Sequence, residues 1–105
     1  MLTAKDIAWA AGVYEGEGTC ARPTKAARTQ LVSVTQKDRW LCDKLKELFG
    51  GWVYKYTYPA TGNRPARTYH YWKLTGPAAR GFLMTIYLFL SPRRKQQVRT
   101  ALGVA

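Results

Sequence analysis

The sequence predicts an α+β fold in which an antiparallel sheet carries helices on one face. Apolar residues recur with a helical period in some stretches and alternate in others, in the order α-β-β-α-β-β-α-α. Glycine, proline or a capping residue stands at most of the changes between the two patterns. A chain of 105 residues is long enough for one domain with a modest core, so we assign residues 1–105 to a single domain.

The first helix is predicted to follow Thr3, which together with Asp6 resembles a capping box, and to run to about Glu17. One flank of this helix carries only small side chains, so another backbone could lie very close to it. The residues of that flank are Ala8, Ala11 and Gly12.

Two acids, Glu15 and Glu17, lie in the last turn of this helix, where unpaired carbonyls form the negative end of the helix dipole. Their charge is disfavoured there, and a hard divalent cation with oxygen ligands would remove the conflict. The alternative is an amphipathic helix with solvated acids and a glycine C-cap at Gly18. The pattern alone leaves both interpretations open.

Two strands and a second helix are predicted to follow. Residues 19–28 are polar and contain Pro23, which is typical of an edge strand or of a strand followed by a loop. Residues 29–36 alternate and are rich in β-branched side chains, with their core-facing positions at Val32 and Val34. Asp38 is placed to cap the helix Arg39–Phe49, which ends at a pair of glycines. The buried face of that helix is predicted to contain Leu41, Leu45 and Leu48.

The strands Trp52–Tyr58 and 67–74 are predicted to have two contrasting faces. One set of alternate positions is aromatic and basic and too polar for a core: Tyr54, Tyr56, Tyr58, Arg67, Tyr69, Tyr71 and Lys73. The opposite set is predicted to be buried: Val53, His70, Trp72 and Leu74. His70, the single histidine, is therefore expected to be packed or hydrogen-bonded and not catalytic.

Two more helices are predicted at the end of the chain. Pro77 occupies the first position of a helix whose apolar residues are Phe82, Leu83, Ile86, Tyr87 and Leu90. Ser91 caps a fourth helix, and the cations in its first turn are Arg93, Arg94 and Lys95. Positive charge at a helix N-terminus opposes the helix dipole, and a phosphate placed nearby would resolve that conflict.

The charge balance indicates a polyanionic partner. The chain carries 17 Lys and Arg against 6 Asp and Glu, a net charge of +11, and all six acids lie in the first half. Such an excess favours nucleic acid as the partner, with phosphate contacts and a steep salt dependence. The alternative is a ribosomal or generally sticky basic protein, and no small-molecule substrate is expected. Cys20 and Cys42 are interpreted as reduced and structural. We expect a soluble, intracellular protein that is not secreted and has no membrane contact, because no signal peptide or sufficiently long apolar run is present.

Four segments of the chain resemble the LAGLIDADG family of homing endonucleases. Residues 10–18 (AAGVYEGEG) resemble the signature motif, especially variants of the form Gly-x-x-Glu-Gly-Glu-Gly. Residues 34–40 (VTQKDRW), followed by Asp43-Lys44-Leu45, resemble the strand-to-helix junction of that family. Residues 72–76 (WKLTG) and 90–96 (LSPRRKQ) match in order and spacing. Ala10 and Glu17 depart mildly from the usual residues of the motif.

The resemblance implies one half of a saddle, and therefore a homodimer, because the chain holds a single motif. The motif helices of the two subunits would pack side by side, which accounts for the small flank. The interface residues implied are Ala8, Ala11, Gly12 and Glu15, with Glu15 in a structural contact at the interface or the motif end. The two sheets would form a concave, basic surface over double-stranded DNA with a long, nearly palindromic target.

The resemblance also implies roles for individual residues. Glu17 corresponds to the metal-binding acid, and with the Gly16 carbonyl of the same turn it would hold Mg²⁺ or Mn²⁺, with Ca²⁺ as a non-cleaving substitute. Gln36 corresponds to a residue that positions metal-bound water, and either Arg93 or Lys95 to the basic residue near the scissile phosphate. The DNA-binding residues implied are Arg22, Lys25, Arg28, Leu31, Ser33, Lys37, Arg39, Tyr54, Tyr56, Arg67, Tyr69, Tyr71 and Lys73.

Three functional classes follow from these observations. The first is a site-specific, Mg²⁺-dependent endonuclease that hydrolyses phosphodiester bonds of duplex DNA as a homodimer. The second is a non-cleaving DNA- or intron-RNA-binding protein, repressor-like or maturase-like, on the same scaffold. The third is an unrelated small basic RNA- or ribosome-binding domain, which would need neither dimerisation nor an acid at the helix end.

Overall fold

The elements of the fold follow one another in the predicted order. The computed structural model describes residues 2–21 and 29–104. Its elements are α1 (Ala4–Glu17), β1 (Gly18–Ala21), β2 (Leu31–Gln36), α2 (Arg39–Phe49), β3 (Trp52–Tyr58), β4 (Arg67–Thr75), α3 (Gly76–Ile86), a 3₁₀ turn (Tyr87–Phe89) and α4 (Pro92–Leu102).

The four strands form one antiparallel sheet in the order β1-β2-β4-β3. The two central strands contribute Val32, Val34, Trp72 and Leu74 to the core. The helices cover this face with Tyr14, Leu45, Phe82, Leu83 and Ile86, which are all buried. The predicted α+β architecture, with helices on one face of an antiparallel sheet, is therefore confirmed.

The opposite face of the sheet carries the predicted aromatic and basic side chains. Tyr54 pairs with Tyr71 and Tyr56 with Tyr69 in the β3–β4 register, so these rings stand side by side. Trp72, on the other face of β4, is fully buried, and its Nε1 donates a hydrogen bond to the Gly50 carbonyl over 2.8 Å. The predicted assignment of the two faces is confirmed.

The predicted capping box at the start of α1 is present, since Thr3 and Asp6 exchange hydrogen bonds of 3.1 Å. Gly18 is the C-cap at the other end, as predicted, and its backbone N–H donates to the Tyr14 carbonyl. Gly18 has φ −86° and ψ 154°, so the chain passes directly from α1 into β1. The reason for glycine there is space, because an added Cβ at Gly18 would collide with the ring of Tyr14.

Three other element predictions need correction. The strand predicted over 29–36 begins at Leu31, because Gln30 is buried and its amide donates to the carbonyls of Ala21 and Ala101 instead. Asp38 stands at the N-cap of α2 without a side-chain capping bond. In α2, Cys42 and not Leu48 lies in the buried face.

The third helix is shorter than predicted. It ends at Ile86, and the chain tightens into the 3₁₀ turn before Leu90, which is buried. None of the helices in the described ranges is long and apolar enough to cross a membrane.

Candidate nucleic-acid interface and acidic site

Glu17 and Gln36 lie at the end of the sheet where β1 begins and β2 ends, which we call the acidic edge. Because α1 continues into β1, and Gly18 pairs with Val34, the residue that precedes Gly18 is brought beside the end of β2. Both side chains line an open depression of about 440 Å³ together with Thr35, Lys37, Asp38 and Tyr69. The edge is braced by His70, whose Nδ1 lies 3.1 Å from the Lys37 carbonyl. His70 is thus hydrogen-bonded, as predicted.

The chemistry of this depression suits part of a metal site. Glu17 is exposed at the C-terminal end of α1, and Asp38 is an exposed second carboxylate at the rim. No group of three or more His, Cys, Asp or Glu side chains able to hold a metal ion occurs in the described ranges. Mg²⁺ is commonly bound by one or two carboxylates, with waters and substrate phosphates as the remaining ligands. The donors present therefore fit an ion that is completed by substrate or by a second subunit.

Glu15, in contrast, contacts its own chain. Its carboxylate accepts hydrogen bonds from the Ser91 backbone N–H over 2.7 Å and from the Ser91 hydroxyl over 2.8 Å. The hydrogen bond from the Ser91 backbone lowers the pKa of Glu15, and the hydroxyl bond and the charge of Arg94 act in the same direction. Glu15 therefore serves as an anion at the N-terminus of α4.

The predicted cations near the scissile phosphate lie apart from this depression. Neither Arg93 nor Lys95 lines it. Arg93 is exposed in the first turn of α4, and the Lys95 Nζ lies 5.7 Å from the ring centroid of Tyr87. Arg39 is paired on the surface of α2 with Asp43, with 3.3 Å between Nε and Oδ2.

A second depression, of about 380 Å³, adjoins the first. It is lined by Tyr58, Arg64, Arg67 and Tyr71, and it shares Thr35 and Tyr69 with the depression of Glu17. The two hollows therefore form one trough, which runs from the acidic edge across the exposed face of the sheet. Tyr58 and Arg64 were absent from the DNA-binding residues predicted from sequence. Tyr58 could have been found, because it shares the alternate positions of Tyr54 and Tyr56.

The tyrosines on the exposed face of the sheet are ordered by their own contacts. The hydroxyls of Tyr58 and Tyr71 are 2.9 Å apart, and the rings of Tyr54 and Tyr71 stack with centroids 5.0 Å apart. The hydrogen bond with Tyr58 is the main reason why the pKa of Tyr71 is raised to about 12. The Tyr71 phenol therefore stays neutral and able to donate a hydrogen bond.

The remaining predicted DNA contacts divide into three groups. Leu31, Ser33 and Lys73 lie on the tyrosine face by register, since Ser33 pairs with Lys73 and Leu31 with Thr75. Lys37 is exposed at the acidic edge. Arg22, Lys25 and Arg28 lie outside the described residues.

The exposed face of α1 carries a row of small residues, which we call the α1 stripe. It consists of Ala4, Ala8, Gly12 and Gly16, each four residues after the last, and all are exposed. Ala11, a predicted interface residue, instead lies in the core of its own chain with 2% exposure. The bare flank is therefore real, but it follows the four-residue spacing and excludes Ala11.

Comparison with known proteins identifies the fold. The structure matches that of the archaeal intron-encoded homing endonuclease I-Vdi141I, solved in complex with DNA, with a TM-score of 0.62. The two sequences are 22% identical, and the match covers 94% of this chain and 68% of the other. No protein-family model matches the sequence, and a search of curated proteins finds no match. The chain thus has the fold of a homing endonuclease, as the sequence resemblance implies.

Proposed function

We propose that this protein is a site-specific endonuclease that binds and cleaves double-stranded DNA as a homodimer with a divalent metal ion. The observation that carries the proposal is the trough. It joins an exposed carboxylate at the end of a helix, Glu17, to a sheet face of tyrosine, arginine and lysine side chains. The neighbour of the same fold is an endonuclease bound to DNA, which supports the same substrate here.

The sheet face has the chemistry of a DNA-binding surface. Arg64, Arg67 and Lys73 supply positive charge for phosphates, and the tyrosine hydroxyls supply donors and acceptors for base edges. The net charge of +11 supports electrostatic attraction to a duplex and predicts weaker binding as salt is raised. We further propose that the target is long and nearly palindromic, because a two-fold dimer presents the same face twice.

Glu17 is proposed as the metal ligand, together with the backbone carbonyl of Gly16. When bound, the ion would activate water and stabilise the charge that develops on the attacked phosphate. Gln36 lies in the same depression and would orient that water through its amide. Mg²⁺ or Mn²⁺ would support cleavage, and Ca²⁺ would support binding only. Arg93 or Lys95, in the first turn of α4, is proposed as the cation that neutralises the scissile phosphate.

The homodimer is proposed to form through the α1 stripe. Glycine inside a helix is about 1 kcal/mol less favourable than alanine, so an interior glycine needs a reason. The described residues supply none for Gly12 or Gly16, because a Cβ added at either position meets no atom of theirs within 4 Å. A second helix packed closely against the stripe would supply that reason, and pairing of two α1 helices would bring the two Glu17 residues toward each other.

A cleavage assay tests the proposal. Wild-type protein, Glu17→Gln and the control Glu47→Gln would be incubated with pooled random or genomic DNA in Mg²⁺, Ca²⁺ or EDTA. Glu47 is an exposed acid on α2 that does not line the depression, so the control makes the same chemical change elsewhere. We expect discrete double-strand breaks in Mg²⁺ for wild type and Glu47→Gln, and binding without breaks for Glu17→Gln.

Three outcomes would contradict the proposal in whole or in part. Tight, salt-dependent duplex binding with no breaks in any metal would favour a non-cleaving DNA-binding protein on the same scaffold. A monomer that prefers structured RNA would favour the RNA-binding class. Cleavage by Glu17→Gln at the wild-type rate would keep the nuclease but remove Glu17 from its centre.

A further inference from the structure

The C-terminal end of α1 and the N-terminal end of α4 are joined by reciprocal contacts. Glu15 in the last turn of α1 accepts two hydrogen bonds from Ser91, which is the N-cap of α4. The Ser91 hydroxyl in turn accepts a hydrogen bond from the Arg94 backbone N–H over 3.3 Å. The N-terminal end of α4 thus receives the negative charge of Glu15, and the C-terminal end of α1 receives the positive charge of Arg94, as the dipole of each helix favours.

Arg94 completes this connection from the other side. Its Nε donates to the Glu15 carbonyl over 3.0 Å, and its Nη1 donates to the Gly18 carbonyl over 2.8 Å. The guanidinium also lies 3.8 Å from the Glu15 carboxylate and sits over the ring of Tyr14. Only 13% of the Arg94 side chain is exposed, so its charge is directed inward and not toward a ligand in solution.

The two carbonyls that Arg94 holds stand on either side of Glu17 in sequence. Carbonyls of a helix end have no partner within the helix, and here a planar guanidinium bridges them. The backbone of the last turn and its exit into β1 are thereby anchored to α4. The side chain of Glu17 itself remains outside these contacts.

We infer that Arg94 is a positioning residue, which together with Glu15 locks the end of α1 to the start of α4 and so sets the place of the Glu17 carboxylate. The inference rests on the proposed nuclease function for its consequence in catalysis, and on the contacts above for the lock itself. The lock between the two helix ends also sets the spacing between Glu17 and the cations Arg93 and Lys95, which belong to the anchored first turn of α4.

Three variants test the lock. Arg94→Gln removes the guanidinium, and Arg94→Lys keeps the charge but replaces the planar guanidinium, in which Nε and Nη1 each donate to one carbonyl, with a single nitrogen. Arg80→Gln is the matched control, because the Arg80 guanidinium also donates to a carbonyl at a helix end, that of Leu102, away from the acidic edge. The measurements are cleavage rate against Mg²⁺ concentration, DNA affinity in Ca²⁺, and hydrogen exchange of the Gly18 amide, which donates to the Tyr14 carbonyl.

We expect both Arg94 variants to cleave about ten- to a hundredfold more slowly at saturating Mg²⁺, because a small displacement of a catalytic group has an effect of that size. Their half-saturating Mg²⁺ concentration should rise several-fold, whereas DNA affinity in Ca²⁺ should match that of Arg80→Gln. Exchange at Gly18 should be faster than in the control. If Arg94→Gln does not fold, Arg94→Lys carries the comparison.

The possible failures are distinguishable. Wild type that cleaves while the Arg94 variants behave like Arg80→Gln would overturn the inference and leave the proposed function intact. Full activity of Arg94→Lys would reduce the role to charge and overturn the lock. If wild type cleaves nothing, the proposed function fails, and Gly18 exchange still decides whether Arg94 anchors the helix end: faster exchange than in the control supports it, and equal exchange overturns it.

Discussion

Substitution of Gly12 should have opposite effects on the stability of an isolated subunit and on the stability of the dimer. Gly12 lies in the interior of α1, and an added Cβ would meet no atom within 4 Å. Alanine is favoured over glycine there by about 1 kcal/mol, so Gly12→Ala should raise the free energy of unfolding of the isolated subunit by that amount. For a domain of this size, 1 kcal/mol corresponds to a rise in Tm of about 4–8 °C.

The dimer should respond in the opposite direction. If two α1 stripes pack against each other, each subunit adds a methyl group to the closest part of the contact, so the effect occurs twice. Overpacking at one site costs about 1–3 kcal/mol. Because 1.4 kcal/mol is a tenfold change, the dimer dissociation constant should rise by at least about tenfold.

The assay combines sedimentation equilibrium with thermal unfolding at protein concentrations below and above the dissociation constant. Gly12→Ala should unfold at a higher temperature than wild type in dilute solution and lose that advantage when wild type is dimeric. Gly81→Ala is the matched control, because Gly81 is an exposed glycine of α3 whose added Cβ also meets nothing within 4 Å. It should gain stability at every concentration. A Gly12→Ala dimer as tight as wild type would refute the α1 stripe as the interface.

Three further predictions follow from single contacts. Because the pKa of Glu15 is lowered in the fold from its ordinary value of 4.5, its contribution to stability is present above that pH and lost as pH falls through the folded pKa. Unfolding titrations from about pH 5 to pH 3 should therefore show a shallower loss of stability for Glu15→Gln than for wild type, and parallel curves would contradict this. Tyr14→Phe should raise the free energy of unfolding by about 1 kcal/mol in denaturant titrations, since the buried Tyr14 hydroxyl has no partner among the described residues other than the Cys20 thiol, a weak hydrogen-bonding group; a clear loss of stability would show that this contact matters. Arg64→Ala should weaken duplex binding and reduce the slope of log affinity against log salt by about 2, one for each subunit of the proposed dimer, whereas an unchanged slope would remove Arg64 from the phosphate contacts.

The sheet could be predicted well from sequence because successive side chains of a strand point to opposite faces, so apolar and polar residues alternate where one face is buried. Val32 and Val34 on β2, and Trp72 and Leu74 on β4, are buried as their alternation indicates. A face that binds a polyanion must be polar and exposed, and its tyrosines and cations are therefore visible without any knowledge of register. Most of the candidate DNA surface can therefore be predicted from the sequence.

The details at the element ends could not be predicted in the same way, because they depend on residues distant in sequence. Glycine at position 18 indicates the end of a helix, but it does not indicate the backbone conformation there. Gly18 is extended because it pairs with Val34 at the start of β1. Gln30 continues the alternation of its strand, but its amide donates to Ala101, 71 residues away, which removes it from the strand. Pairing and long-range hydrogen bonds of this kind leave no local periodicity.

The two electrostatic conflicts in the sequence are resolved together, and this decides which acid is available. An acid at the end of α1 and a run of cations at the start of α4 each oppose a helix dipole when the helices are considered one at a time. In the fold the two ends meet, and Glu15 is bound by Ser91 and Arg94. The charge of Glu15 is therefore balanced within its own chain without a metal ion. Glu17, two residues later, lies outside these contacts and is exposed at the trough, which is why the proposed metal chemistry is assigned to Glu17 and not to Glu15.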